Sequence, residues 1–294
     1  MTRPRSLHVC LALALLAGTA PLARLSSASD DDITQRQVVY SLPGMERAQV
    51  RLDHYRTRDN VELPLDVYSP SNPQKGVRPG AVILVHGGPI PPGAFPNRWG
   101  IFQSYGRLIA ASGLGAVTFT HRLNEASDYP RSAADLSAAL EHVRSRAATL
   151  GIDPDRLAVW VFSGGGPLAS VVFGQRPAFV RCAVLFYSIL DFRGAPPVYG
   201  GVPSELSPVE SVKGAAGSLP PVLVARAGLD EEWINASIDA FIAAANVKGM
   251  SVDLFTVPQG HHGFDILDDD ARSREVIRAA LAFLKSRLAA DSRP

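Results

Sequence analysis

A series of near-continuous apolar runs, each followed by a stretch of helical period, constrains this chain more than any other feature. The runs fall at residues 81–85, 116–119, 157–162, 180–186, 222–225 and 252–257. A strand that is apolar at successive positions has no polar face to offer water, so it belongs in a sheet covered on both sides, as parallel sheets are. Between the runs, Ala133, Leu136, Leu140, Val143, Ala147 and Leu150 recur at threes and fours, as one face of a helix requires. Trp233, Ile234, Ile238, Phe241, Ile242 and Ala245 do the same, and so do Val276, Ile277, Ala280, Phe283, Leu284 and Leu288. Strands alternating with helices from residue 81 onward predict a doubly wound α/β sheet with right-handed crossovers. Upstream, residues 38–42, 49–55 and 61–68 alternate with period two and read as an opening antiparallel portion.

Residues 190–219 break this rhythm. They are rich in Gly, Pro and Ser, show no clear period and lie between two predicted strands. A long irregular insertion in a compact domain is often a lid or binding loop, so this one is expected to form a small cap over one edge of the sheet. The chain has 294 residues, 46% of them hydrophobic, enough to bury the core of one large domain over residues 29–294. The 29 basic and 28 acidic residues leave a formal net charge of +1. They are interspersed with no basic block or stripe, which argues against a nucleic-acid partner.

The N-terminus has the layout of an export signal over residues 1–28. Arg3 and Arg5 give a positive start, residues 7–17 form an apolar stretch, and Ser26-Ser27-Ala28 offers a small-residue cleavage site. That stretch is shorter than the roughly 20 residues a membrane-spanning helix needs, so no stable span is expected once the signal is cleaved. Loss of Cys10 with the signal would leave Cys182 alone, in an apolar run where a thiol is packed rather than reactive.

Chemistry is concentrated where the apolar runs end. The run 157–162 leads directly into Ser163-Gly164-Gly165-Gly166, and the residues that follow could open a helix. Strand, serine and helix in that order form a turn so sharp that only small residues fit after the serine. The run 81–85 ends in His86-Gly87-Gly88-Pro89, whose glycine N–H groups can receive a developing oxyanion; Pro89 has none to give. A serine hydroxyl needs a base and an orienting carboxylate. Asp230 and His262 each lie in a loop just past a predicted strand, and so open on the same edge of the sheet as Ser163. His261, Glu231, Glu232 and Asp191 compete for these roles by position alone. Asp30-Asp31-Asp32 and Asp268-Asp269-Asp270 lack spaced His or further ligands and read as solvated charge, with no metal or other cofactor expected. Asn235-Ala236-Ser237 matches a glycosylation sequon but falls on a predicted helix.

Over roughly residues 48–289 the sequence resembles the α/β-hydrolase superfamily, in its carboxylesterase and dienelactone-hydrolase-like branch. The pattern around Ser163 is similar to Gly-x-Ser-x-Gly, with Gly165 matching and Val161 departing. His86-Gly87-Gly88 resembles an esterase oxyanion motif, and the His-Gly-Phe-Asp context resembles that of the superfamily's base, which selects His262 over His261. The resemblance implies a mostly parallel sheet of about eight strands with antiparallel N-terminal strands. It further implies a triad of Ser163, Asp230 and His262, with Gly88 and Gly164 as oxyanion donors and Gly87 beside them. The expected activity is hydrolysis of small-molecule esters through an acyl-enzyme. Lactone hydrolysis and a prolyl-oligopeptidase-like peptidase activity are variants of that reading. A non-catalytic binding protein on the same scaffold is the reading from another class, favoured by Val161 and opposed by the intact Ser, Asp and His set.

Overall fold

The computed structural model describes residues 32–72 and 76–290, so the expected signal at residues 1–28, with Cys10, lies outside the described residues. In chain order the elements are β1 (Gln49–Arg56), β2 (Glu62–Ser69), β3 (Ala81–Val85), α1 (Gly100–Ala111), β4 (Gly115–Phe119), α2 (Tyr129–Ser145), α3 (Ala147–Leu150) and β5 (Leu157–Phe162). There follow α4 (Ser170–Gln175), β6 (Val180–Phe186), α5 (Pro208–Gly214), β7 (Val222–Ala227), α6 (Glu232–Val247), β8 (Val252–Val257), α7 (Phe264–Leu267) and α8 (Ala271–Arg287). The strands form one eight-stranded sheet in the order β1-β2-β4-β3-β5-β6-β7-β8. The pairs β1–β2 and β2–β4 are antiparallel, and every pair from β4 through β8 is parallel.

The parallel strands alternate their side chains between two apolar layers, as the pleat demands. On β5, Leu157, Val159 and Val161 enter one layer with residues of α2, α4 and α6. Ala158, Trp160 and Phe162 enter the other, with residues of α1 and α8. The continuous apolar character of the run is therefore the signature of a strand buried on both faces. Helix α1 was not anticipated from the sequence, although Ile101, Phe102, Tyr105, Leu108 and Ile109 carry the helical period and are all buried on it. Arg122, just after β4, ties the β1–β2 hairpin to α2 through ion pairs of 2.8 Å to Asp59 and 2.7 Å to Asp135.

One expected strand is absent. Residues 38–42 pair with no strand; the Val38 N–H donates to Ser104 Oγ on α1 and the Val39 N–H to the Asp265 carbonyl. The period-two pattern there reflects an extended segment laid across α1 with Val38 buried, and extended chain has that period whether or not a ladder forms. The irregular stretch 190–219 contains α5, which packs between α4 and α6, preceded by two short 3-10 turns. Among the described residues no helix is long and apolar enough to cross a membrane.

Trp160 is fully buried among Tyr105, Phe162 and Phe186. Trp160→Ala is expected to lower the unfolding free energy by about 3–5 kcal/mol, read from urea denaturation.

Candidate active site

The register of the parallel strands brings the chemistry together. Val85 pairs with Val161, Phe162 with Phe186, Phe186 with Ala225, and Ala227 with Val257. The carboxyl ends of β3, β5, β6, β7 and β8 are thus level, and the residues that follow them share one rim. Strand order reverses where β3 and β5 adjoin, the place where open α/β sheets leave a crevice.

Ser163 follows β5 directly, with a left-handed φ of 52°. A non-glycine residue there costs roughly 1–3 kcal/mol and persists only where its surroundings dictate it. Here they do. A methyl group on Gly164 would strike the Gly88 carbonyl oxygen, one on Gly165 the His86 carbonyl oxygen, and one on Gly166 the Ile189 carbonyl oxygen. The three glycines let the elbow close directly onto the loops after β3 and β6. The Ser163 carbonyl accepts from the Ile189 N–H at 3.1 Å, and the Gly164 carbonyl from the Tyr129 hydroxyl at 2.9 Å. Val161 lies fully buried in the α2–α4 layer with Leu168 and Val172, and the chain after Ser163 starts as a 3-10 turn before α4 begins.

Ser163 Oγ stands 2.6 Å from His262 Nε2, and His262 Nδ1 stands 2.8 Å from Asp230 Oδ2. A carboxylate only accepts, so Nδ1 carries the proton and Nε2 is free to accept from the serine hydroxyl. Asp230 is almost fully buried, and its second oxygen accepts from the Glu231 N–H at 2.9 Å. Gly87 faces the serine: a methyl group there would lie 3.0 Å from Ser163 Cβ. Among the described residues the N–H groups of Gly87, Gly88 and Gly164 have no hydrogen-bond partner. Unpaired backbone donors beside a hydroxyl suit an incoming oxyanion.

His86 does not reach Ser163 among these contacts. Its Nδ1–H donates to the Gly87 carbonyl at 2.6 Å, its Nε2 accepts from the His121 N–H, and its ring stacks on that of His121 at 3.5 Å. Burial holds His86 down to about 4 and His121 well below the usual histidine range, so both stay neutral and brace the glycine turn. The competitors are engaged elsewhere. His261 is exposed and pairs with Asp268. Asp191 accepts from Arg193 and Ser207. Glu231 occupies the N-cap position of α6 without a side-chain capping bond, and Glu232 lies in the first turn of that helix. Asp269 pairs with Arg274, and Asp270 caps α8. Asn235 Nδ2 donates to the Ala227 carbonyl, so this sequon asparagine is built into the end of β7.

Two tyrosines beside the site have no sequence signature, and Asp265 is legible only as the last residue of the His-Gly-Phe-Asp context, with no role attached. Tyr187, the residue after β6, sets its ring 4.8 Å from that of His262 and donates its hydroxyl to Asp265 Oδ1 at 2.7 Å. Tyr105 donates to Asp265 Oδ2 at 2.8 Å. An aspartate just after His262-Gly263-Phe264, in a segment that must pack, was the available signal. On the other side a run of aromatic contacts leads from Tyr129 through Phe192 and Tyr199 to Trp233.

The family model BD-FAE matches residues 65–176, which include the His86–Gly88 turn and Ser163. Ethyl acetate hydrolase of Pseudomonas putida is 29% identical over 144 residues, 46% of this chain and 43% of that protein, so the chain spans less than half the length of this curated relative. The propionate-bound esterase Est2 of Thermogutta terrifontis superposes with a TM-score of 0.67 at 25% identity, covering 85% of this chain and 98% of its own. The same esterase phosphorylated by paraoxon gives 0.67 at 24% identity over the same shares. A bacterial heroin esterase gives 0.70 at 20% identity, over 84% of this chain and 86% of its own.

Asp265 is fully buried, and burial pushes its carboxyl from 3.8 up to about 6, against the pull of the two tyrosine hydroxyls and of His262. A raised folded-state value favours the protonated form, so this contribution to stability is complete below the unfolded value near 4 and is lost as pH rises through about 6. Asp265→Asn lacks that titration. Relative to the parent it is expected to gain stability by about 3 kcal/mol between pH 4 and pH 8, read as a rise in its unfolding free energy over the parent's in urea unfolding at both.

Proposed function

We propose, from the premise that this chain has the α/β-hydrolase fold, that it is a serine hydrolase cleaving carboxylic esters of small molecules. The observation that carries the reading is the continuous line from Ser163 Oγ through His262 to Asp230, beside unpaired N–H groups. In this reading Ser163 attacks the ester carbonyl as His262 Nε2 takes its proton. Asp230 holds the imidazole tautomer and stabilises the imidazolium. The N–H groups of Gly88 and Gly164 receive the oxyanion, with Gly87 keeping the approach to Ser163 clear; each donor is worth about 2.7–4 kcal/mol in the transition state. His262 returns its proton to the leaving alcohol, then activates the water that releases the acid. No step calls for a cofactor.

The ethyl acetate hydrolase relative and the propionate-bound neighbour support short acyl chains as the first substrates to try. The charged start and apolar stretch of residues 1–28 support an exported protein.

The purified protein is expected to hydrolyse nitrophenyl acetate and butyrate. Ser163→Ala should lose at least about 10³-fold in kcat, and Asp230→Asn about 10⁴-fold through the wrong tautomer. An organophosphonate probe should label the parent at Ser163 and leave Ser163→Ala unmodified. Equal turnover in parent and Ser163→Ala would defeat the serine-nucleophile reading, and an inactive, unlabelled parent would instead identify a binding protein on this scaffold.

A further inference from the structure

The imidazole of His262 has two carboxylates in its surroundings. Asp230 bonds it directly; Asp265 stands behind Tyr187, whose ring packs edge-on against the imidazole. Asp265 is completely buried, and both of its oxygens accept from phenol hydroxyls, Tyr187 on one and Tyr105 on the other. No arginine or lysine pairs with it among the described residues. A carboxyl in that setting costs stability, since water would solvate it better than two phenols do. Tyr187 also holds a left-handed φ of 37°, a conformation a tyrosine rarely adopts. A buried acid without a cation and a strained backbone meet at one place, the underside of the base.

We propose that Asp265 is a positioning residue for His262, acting through Tyr187: the Tyr105–Asp265–Tyr187 cluster fixes the imidazole from beneath and stabilises its cationic form when it takes the Ser163 proton. The inference rests on His262 being the base, as proposed above. The field it exerts is simple in sign. A negative carboxylate near the ring favours the imidazolium, and by reciprocity the imidazolium favours the ionised Asp265. The other ionisable groups facing this cluster are Tyr105 from α1, Tyr187 at the end of β6 and Asp230 after β7, with His262 on the loop that precedes α7. Asp268, nearby on the same segment, is taken up by His261. The N-terminal segment contributes a backbone contact, the Val39 N–H on the Asp265 carbonyl.

The test is an NMR titration of the His262 imidazole in the full chain, compared with Asp265→Asn and Tyr187→Phe, beside the pH profile of kcat/KM for nitrophenyl acetate. Removing the negative charge disfavours the imidazolium, so Asp265→Asn should lower the His262 midpoint. The acid limb of kcat/KM should move down with it, and kcat should fall with KM unchanged. Tyr187→Phe keeps the ring against His262 but takes a hydrogen bond from the ionised Asp265, so the midpoint should move the same way by less. It decides the matter if Asp265→Asn does not fold. A His262 midpoint that stays at the parental value in the folded variants overturns the proposal, even if Ser163-dependent hydrolysis is intact. Absence of any ester hydrolysis would sink the functional reading instead, while the His262 titration would still report whether the two groups are coupled.

Discussion

The site depends on a left-handed serine closed against two neighbouring loops with no side chains between them. Ser163 at φ 52° turns the chain so sharply that Gly164, Gly165 and Gly166 lie against the carbonyls of Gly88, His86 and Ile189. Backbone on backbone leaves little freedom. Once β3, β5 and β6 are in register, the serine hydroxyl, the glycine turn and the start of the insertion are held at fixed separations. The strain at Ser163 is offset by the hydrogen bonds that its own carbonyl and the Gly164 carbonyl accept, from Ile189 and from Tyr129, and by the apolar layers under the strands.

Charge in this region is arranged around a small number of buried acids. Asp230 has a histidine and a backbone N–H to satisfy it, whereas among the described residues Asp265 has two phenols and no cation. The two stacked histidines behind the glycine turn are kept neutral by burial and serve as flat, hydrogen-bonded spacers. The elements around Ser163 thus divide into a rigid neutral side, built on His86 and His121, and an acidic side built on Asp230 and Asp265. In the proposed reaction a proton leaving the serine would move toward the acidic side, where positive charge is stabilised.

The parts of this arrangement legible in the sequence were those with a local physical signature. Strands buried on both faces announce themselves as unbroken apolar runs, and their ends mark where Ser163, Asp230 and His262 lie. The glycines after Ser163 and His86 were legible because a tight turn excludes side chains. The cluster that joins Asp265 to two tyrosines has no such signature. Tyr105, Tyr187 and Asp265 are 160 residues apart at the extremes and meet only through the fold. The stretch 38–42 shows the reverse fault: its alternation is that of any extended chain, and whether such a chain finds a strand partner is decided by α1 and the loop after β8. The irregular stretch before β7 hid α5 because seven residues span too few turns to establish a period.

The aromatic contacts from Tyr129 to Trp233 join the elbow to the segment after β6 by ring packing rather than by directional bonds. Rings at centroid separations near 5.5–6 Å tolerate tilt and exchange, since their attraction varies slowly with angle. Tyr129 alone adds a directed tether, its hydroxyl on the Gly164 carbonyl. A wall made in this way can change its contour, one ring swapped for another over evolutionary time, while the peptide it leans on keeps its place. Change on this side of the molecule would then be absorbed by ring packing, while the Tyr129 tether keeps the Gly164 peptide where it is.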